Sequence, residues 1–332
     1  MRLHRILIIG AALLALASTS CKKDDGDDTL PYLTGYPEFD LPPYGQPGET
    51  FTFTGKGVRD DDGKDPDGYY WYIDPLETGR DTANTFSFYI PDTLCTITVT
   101  CGAFKEGYYS SSISKDLVII RDSRVNGSLK GNRFDATTDF TFTDSRDGHE
   151  YWCTTIGGTD WFKDNLAFDG AGFPLENCPA TVGLFGKFYT WEDAMVSCPE
   201  GWRLSSLKDW ADAAKVLTGS DFDTHKTMAS VAVDFMGDIY FNENKMWEYW
   251  PEVKITNKSG LSLMPTGYAI ASGGNKARFD SMNGYSVFWT SDTDEDGQAY
   301  YRYIYEEQPD IMLGTAGKDS FAATARCVRD HE

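Results

Sequence analysis

Two short runs of carboxylates carry the ligand chemistry of a hard cation. Asp60-Asp-Asp-Gly-Lys-Asp-Pro-Asp-Gly68 alternates oxygen-bearing side chains around glycine, and Asp292-Thr-Asp-Glu-Asp-Gly297 is a shorter version. Calcium suits such loops because it accepts many oxygens in a flexible geometry. Neither run closes with the bidentate Glu of an EF-hand loop, so the plainer reading is two exposed turns in an acidic protein. Calcium at Asp60, Asp62, Asp65 and Asp67 stands as the metal expectation, with no other cofactor. Rings that stack on sugars are the second kind of chemistry. Trp247-Glu-Tyr-Trp250 clusters them beside Pro251, and Tyr300-Tyr-Arg-Tyr-Ile-Tyr305 alternates them between two faces. Core filling takes one face of such a strand. Because binding residues ride on loops held by a scaffold, the expected contacts are Trp247, Trp250 and the turn carrying Asp292, Asp294 and Asp296.

Catalysis has little to draw on. Beyond the leader, the histidines are His149 in an Asp-Gly turn, His225 in an acidic loop and His331 in the tail. A histidine-based triad or a zinc cluster needs several of these to converge, and nothing in their spacing does that. With 51 acidic residues some carboxylate pairs must lie close, so a glycosidase-type pair carries no information. The protein is expected not to be an enzyme, with a hydrolase the weaker alternative. A formal charge of -21 repels nucleic acid and anionic lipid headgroups at long range.

The chain opens as a transport signal over residues 1–20. Arg2 and Arg5 precede an apolar run from Ile6 to Ala17, too short to span a bilayer comfortably, and Ser18-Thr-Ser20-Cys21 follows. This resembles a lipoprotein cleavage box, which implies lipidation of Cys21 and membrane contact only through that anchor; plain secretory cleavage is the alternative. Lys22-Lys-Asp-Asp-Gly-Asp-Asp28 resembles the export signal of Bacteroidetes lipoproteins destined for the outer face of the outer membrane. Residues 21–34 are read as an acidic tether, because charged chain poor in hydrophobes stays flexible.

The 332 residues leave room for two domains. From 35 to 121 the pattern is strand throughout: Glu49 to Gly55, Tyr69 to Asp74, Thr85 to Ile90, Cys95 to Thr100 and Leu117 to Ile120 alternate or run apolar between turns. Together with Trp71, this argues for a sandwich of about seven strands. The segment resembles Ig-like or PKD-like domains, including Pro91-Asp-Thr-Leu94 and Gly107-Tyr-Tyr-Ser110, and such sandwiches act as spacers. Cys95 and Cys101 share one strand face roughly 20 Å apart, beyond disulfide reach, and read as buried thiols. Residues 122–138, with Asn126-Gly127 and Gly131-Asn132, read as linker.

Helix signals concentrate further on. Thr190 with Asp193 can cap a helix that Pro199 ends after Cys198. Ser206 with Asp209 repeats the pattern, and Leu207, Trp210, Ala211, Ala214 and Leu217 recur at helical spacing up to Gly219.

Residues 139–332 carry, in order, Asp144 to Tyr151, Ile156-Gly-Gly-Thr-Asp-Trp161, Asn165-Leu166, Phe188-Tyr-Thr-Trp191, Cys198-Pro-Glu-Gly-Trp-Arg-Leu204, Pro265-Thr-Gly-Tyr268, Phe288-Trp-Thr-Ser291 and Ala325-Arg-Cys-Val-Arg-Asp330. These landmarks resemble the Fibrobacter succinogenes major paralogous domain of secreted and surface proteins. One departure is Leu204-Ser205-Ser206 where the family usually reads Leu-Pro-Thr. The order also resembles the C-type-lectin-like fold, implying an α+β domain of two short helices on a twisted antiparallel sheet. It further implies a disulfide between Cys198 and Cys327, worth about 4 to 5 kcal/mol in the chain-entropy model. Cys153 and Cys178 flank the Trp161 and Asn165 landmarks and are available for a second bridge. Lectins of this type bind sugar through calcium with a Glu-Pro-Asn or Gln-Pro-Asp motif and a Trp-Asn-Asp motif. Gln308-Pro309-Asp310 is present, but it follows the Phe288 strand, no Trp-Asn-Asp comes after it, and it reads as turn chemistry. The resemblance implies a non-enzymatic, surface-exposed module meeting an extracellular glycan or protein, with an assembly subunit of a cell-envelope complex as the alternative.

Overall fold

The computed structural model describes residues 29–75, 78–81, 84–247 and 254–332. The leader, Cys21 and the first part of the tether lie outside the described residues, as does Trp250. The protein is mostly β, built as several small sheets with short helices between them.

Up to Ile119 the described residues form seven strands, five of them at the runs read from the sequence. Thr50–Thr54 pairs with Thr85–Tyr89 as a two-stranded antiparallel sheet. Five others form a sheet in the order Tyr44–Gly45, Ser111–Ile119, Thr96–Phe104, Gly68–Asp74, Thr78–Asp81, in which only the first pair is parallel. Alternating side chains point inward, and the two sheets meet at Trp71. Its ring is fully buried, stacked on Phe53 at 5.7 Å and on Phe86 at 5.9 Å, with Phe39 edge-on at 5.3 Å. Cys95 and Cys101 are both free; Cys101 is buried, and burial pushes its thiol up to about 12.

Residues 122–138, expected as a linker, are in part packed. Leu129–Lys130 forms a strand on Tyr240–Phe241, and Ser128 Oγ accepts from Arg121 N at 2.8 Å. The first region also reaches into the second. Tyr44 and Ile120 share a core with Phe173, Leu175, Phe185 and Phe188, and Asn242 Nδ2 donates to Ile119 O at 2.9 Å. Turn dipeptides mark where a chain can bend, but not whether the segment between them finds an apolar face to bury.

The second region is organised by an antiparallel sheet ordered Arg203–Leu204, Cys327–Asp330, Thr159–Phe162, Glu150–Ile156, Asp139–Thr143. Its last strand in sequence therefore sits next to the segment that follows the first long helix. That helix, Trp191–Ser197, is capped by Thr190, whose side chain accepts from Asp193 N, and it stops at Cys198. Leu207–Thr218 has the full capping box of Ser206 and Asp209, and Gly219 closes it in the left-handed region at φ +77°, where a Cβ would be strained. Cys198 is bonded to Cys327, with 5.8 Å between their Cα atoms and a sequence separation of 129.

The second bridge does not form. Cys153 and Cys178 are free: Cys153 lies in the core around Tyr151 and Phe162, while Cys178 belongs to the core around Phe185 and donates to Tyr44 O at 3.3 Å. The chain between them routes the two thiols to different cores. Burial raises the pKa of both, which leaves them as protonated, apolar fillers.

Candidate functional site

The alternating strand Ala299–Tyr305 lies between Tyr285–Thr293 and Met312–Ala316. Period two puts Arg302 and Ile304 on the inward face and Tyr301, Tyr303 and Tyr305 on the other. Arg302 is fully buried and donates to the carbonyls of Lys226 and Thr224, each at 2.6 Å; burial lowers its pKa to about 10. On the other face the register pairs Tyr305 with Tyr285, Tyr303 with buried Val287 and Tyr301 with buried Trp289. Opposite Tyr301 on the third strand is Gly314, where a Cβ would fall 2.4 Å from the tyrosine Cζ. Only glycine lets that ring lie across the strand.

A second small sheet brings Tyr268 and Phe321 to the same place. Tyr268–Ala271 pairs with Phe321–Ala322, and three backbone bonds join the flanks of this sheet to Tyr285–Thr293: Gly267 N to Tyr285 O at 2.7 Å, Trp289 N to Thr324 O at 3.0 Å and Thr324 N to Val287 O at 3.2 Å. The result is two stacks of three rings. Phe321 lies between Tyr268 at 5.3 Å and Tyr301 at 5.2 Å, with planes within 25°. Tyr285 lies between Tyr305 at 4.8 Å and Tyr303 at 6.1 Å, again within 25°. The stacks meet at steep angles, 87° between Tyr268 and Tyr285 and 49° between Tyr301 and Tyr303.

Between them is a concavity of about 370 Å³ lined by Tyr268, Tyr285, Tyr301, Tyr303 and Phe321, with buried Val287 in the lining and Ser281 alongside. Near-parallel rings more than 5 Å apart are offset, so part of each face stays uncovered. Burial raises the pKa of Tyr285 and Tyr301, and their neighbouring phenols push the same way, so both rings stay neutral.

The trough is held from behind by the disulfide-tied helix. Trp191 Nε1 donates to Thr290 O at 2.8 Å, and Trp289 Nε1 donates to Tyr189 O at 2.8 Å. Thus the segment that ends in Cys198 grips the strand that carries Tyr285 and Val287.

Residues singled out in the sequence lie elsewhere. Trp247 is no platform: it is 1% exposed, packed with Met236 and Leu263, and its indole donates to Leu263 O at 3.1 Å. Asp292 accepts from Leu207 N at 2.7 Å, serving the start of a helix, and Asp294 closes its own turn by accepting from Asp296 N and Gln298 N. Asp60 accepts from Lys64 N and pairs with Lys105 at 3.1 Å; Asp62 pairs with Lys64, Asp65 with Arg59, and Asp67 accepts from Glu106 N. These carboxylates are engaged one by one rather than converging. Among the described residues no group of three or more His, Cys, Asp or Glu is arranged to hold a metal. In Gln308-Pro309-Asp310, the Pro309 carbonyl accepts from Ala232 N and Asp310 accepts from Ser230 N, which anchors the short helix Ala232–Phe235. His149 lies beside Tyr151, His225 meets the edge of Tyr300, and His331 bonds Asp160.

Residues 154–329 match the family model described as Fibrobacter succinogenes major domain (Fib_succ_major), and the chain belongs to that family. Every residue of the trough falls inside the matched span. No curated protein matches the chain.

Proposed function

We propose that this member of the Fibrobacter succinogenes major domain family is a non-enzymatic extracellular binding module whose ligand, a glycan, sits in the tyrosine trough. The observation that carries the reading is the pair of three-ring stacks walling a ligand-sized concavity. Rings on a core strand are ordinarily packed away from solvent; here Arg302 and Ile304 take one face, and the rings on the other, part-buried against the core that holds Trp289 and Ala323, also line the opening. Sugars offer apolar faces to such rings and hydroxyls to phenol tips.

The rest of the architecture fits a display role. On this reading Cys21 bears the lipid, the outer membrane holds the protein on the cell surface, the Ig-like first region is a spacer and the second region is lectin-like. Calcium is not required, because no carboxylate group lines the trough. A glycan array probed with the parent protein and with Tyr301→Leu, each with calcium and with chelator, tests the proposal. Binding that Tyr301→Leu removes and chelator leaves intact is the expected result; equal binding by both proteins, or no binding to any sugar, contradicts it.

A further inference from the structure

A cavity of about 50 Å³ lies where the chain leaves the first region and enters the second. Asp122 and Asn132 reach it from the joining segment, and Asp164 and Asn165 from the residues that follow the strand Thr159–Phe162. Leu184 and Met264, both buried, supply apolar wall.

Three of the four polar side chains hold acceptors that the protein itself leaves open. Asn165 is 3% exposed, and its Nδ2 donates to Phe185 O at 2.9 Å. That bond fixes the amide and leaves Oδ1 buried without a partner. Asn132 Oδ1 is likewise buried and unpaired. The Asp122 carboxylate makes no hydrogen bond or ion pair to any described residue, and it lies against Gly183, where a Cβ would clash with it. Asp164 is half engaged: Oδ2 accepts from Trp152 N at 2.7 Å and from Arg124 at 3.0 Å, which leaves Oδ1.

Buried acceptors without donors call for a ligand that brings positive charge and no acceptor of its own. The volume takes an ion with a water molecule or two, not an organic cation. Magnesium demands a near-ideal octahedron, whereas calcium accepts carboxylate and amide oxygens in a looser geometry. We propose that Asp122, Asn132, Asp164 and Asn165 bind a calcium ion that ties the first region to the second. Arg124 offsets the charge of Asp164, so one carboxylate of the set is uncompensated. Affinity follows ligand charge, which puts binding at about 10⁻⁴ to 10⁻³ M, the range of extracellular modules. This cavity shares no residue with the tyrosine trough, so glycan binding stays insensitive to chelator.

Terbium replaces calcium at oxygen sites and emits when a nearby tryptophan is excited, and Trp152 lines the cavity. Titration of the full chain with terbium under tryptophan-selective excitation should give saturable emission that calcium competes away. Asp122→Ala should weaken the apparent affinity about tenfold or more. Trp152→Phe should lose the emission yet keep a calcium-dependent rise in melting temperature. If Asp122→Ala fails to fold, Asn132→Ala carries the same test. Emission unchanged by these ligand variants, emission that disappears instead in Asp62→Asn combined with Asp65→Asn, or no emission that calcium displaces would overturn the proposal.

Discussion

The two regions reach stability by opposite means. Before Ile119, long regular strands pack one aromatic core around Trp71, and both cysteines are free. After Asp139, strands are shorter and spread over several sheets, and the ends of the region are joined through Cys198 and Cys327. Two arginines are fully buried there. Arg302 ties down residues 224 and 226, while Arg326 donates to the carbonyls of Phe162, Lys163 and Leu261. Ladders between long strands satisfy the backbone by themselves, whereas irregular loops need side-chain donors and a covalent tie. The trough sits in the second kind of structure, where loops and short strands bring distant residues together.

The sharpest way to break the comparison is to remove the tie. Cys198→Ala with Cys327→Ala should cost about 4 to 5 kcal/mol in urea unfolding, whereas Cys95→Ala with Cys101→Ala should cost about 1 kcal/mol. Equal losses would mean that the bridge is incidental to the second region. Trp71→Ala should cost about 3 to 5 kcal/mol, with the sensitivity to reductant unchanged from the parent.

Gly314→Val should cost about 1 to 3 kcal/mol, because Tyr301 must leave its place, and glycan binding should fall with it. Asp209→Asn should cost about 1 kcal/mol at neutral pH by breaking the capping box. Burial pushes the Asp209 carboxyl up, but hydrogen bonds from Arg203 and Ser206 outweigh it and hold the pKa below the usual carboxylate range. Its contribution is therefore full above the unfolded pKa and is lost as pH falls through the lower folded value, so parent and variant melting curves should converge in acid. The smallest effect belongs to Asp294→Ala and Asp296→Ala, which should leave binding within about twofold, since they stand in a turn away from the trough.

Much of the fold was legible. Five of the strands before Ile119, both helix caps, Gly219 and the Cys198–Cys327 bond follow from alternation, capping chemistry and the resemblance carried by the terminal cysteine, whereas Tyr44–Gly45 and Thr78–Asp81 carry no such pattern. The trough was only half legible. Alternation separates Tyr301, Tyr303 and Tyr305 from Arg302 and Ile304, but no local rule says which face is core. Arg302 takes the face opposite the trough rings, where its guanidinium finds two carbonyl partners. Tyr268 and Phe321 join through pairing between strands far apart in sequence, which periodicity cannot report. Trp247 misled for the same reason: an aromatic cluster beside proline looks like a platform until the fold wraps Met236 and Leu263 around it.

Hydroxyl-radical footprinting, with and without a glycan that the array identifies, tests the central claim most directly. Loss of labelling at Tyr268, Tyr285, Tyr301 and Tyr303, with Tyr300 and the 292–297 turn unchanged, is the outcome expected of ligand lying between the two stacks. Protection confined to the 292–297 turn or to the Asp60–Gly68 loop, with the trough tyrosines labelled as before, would contradict it.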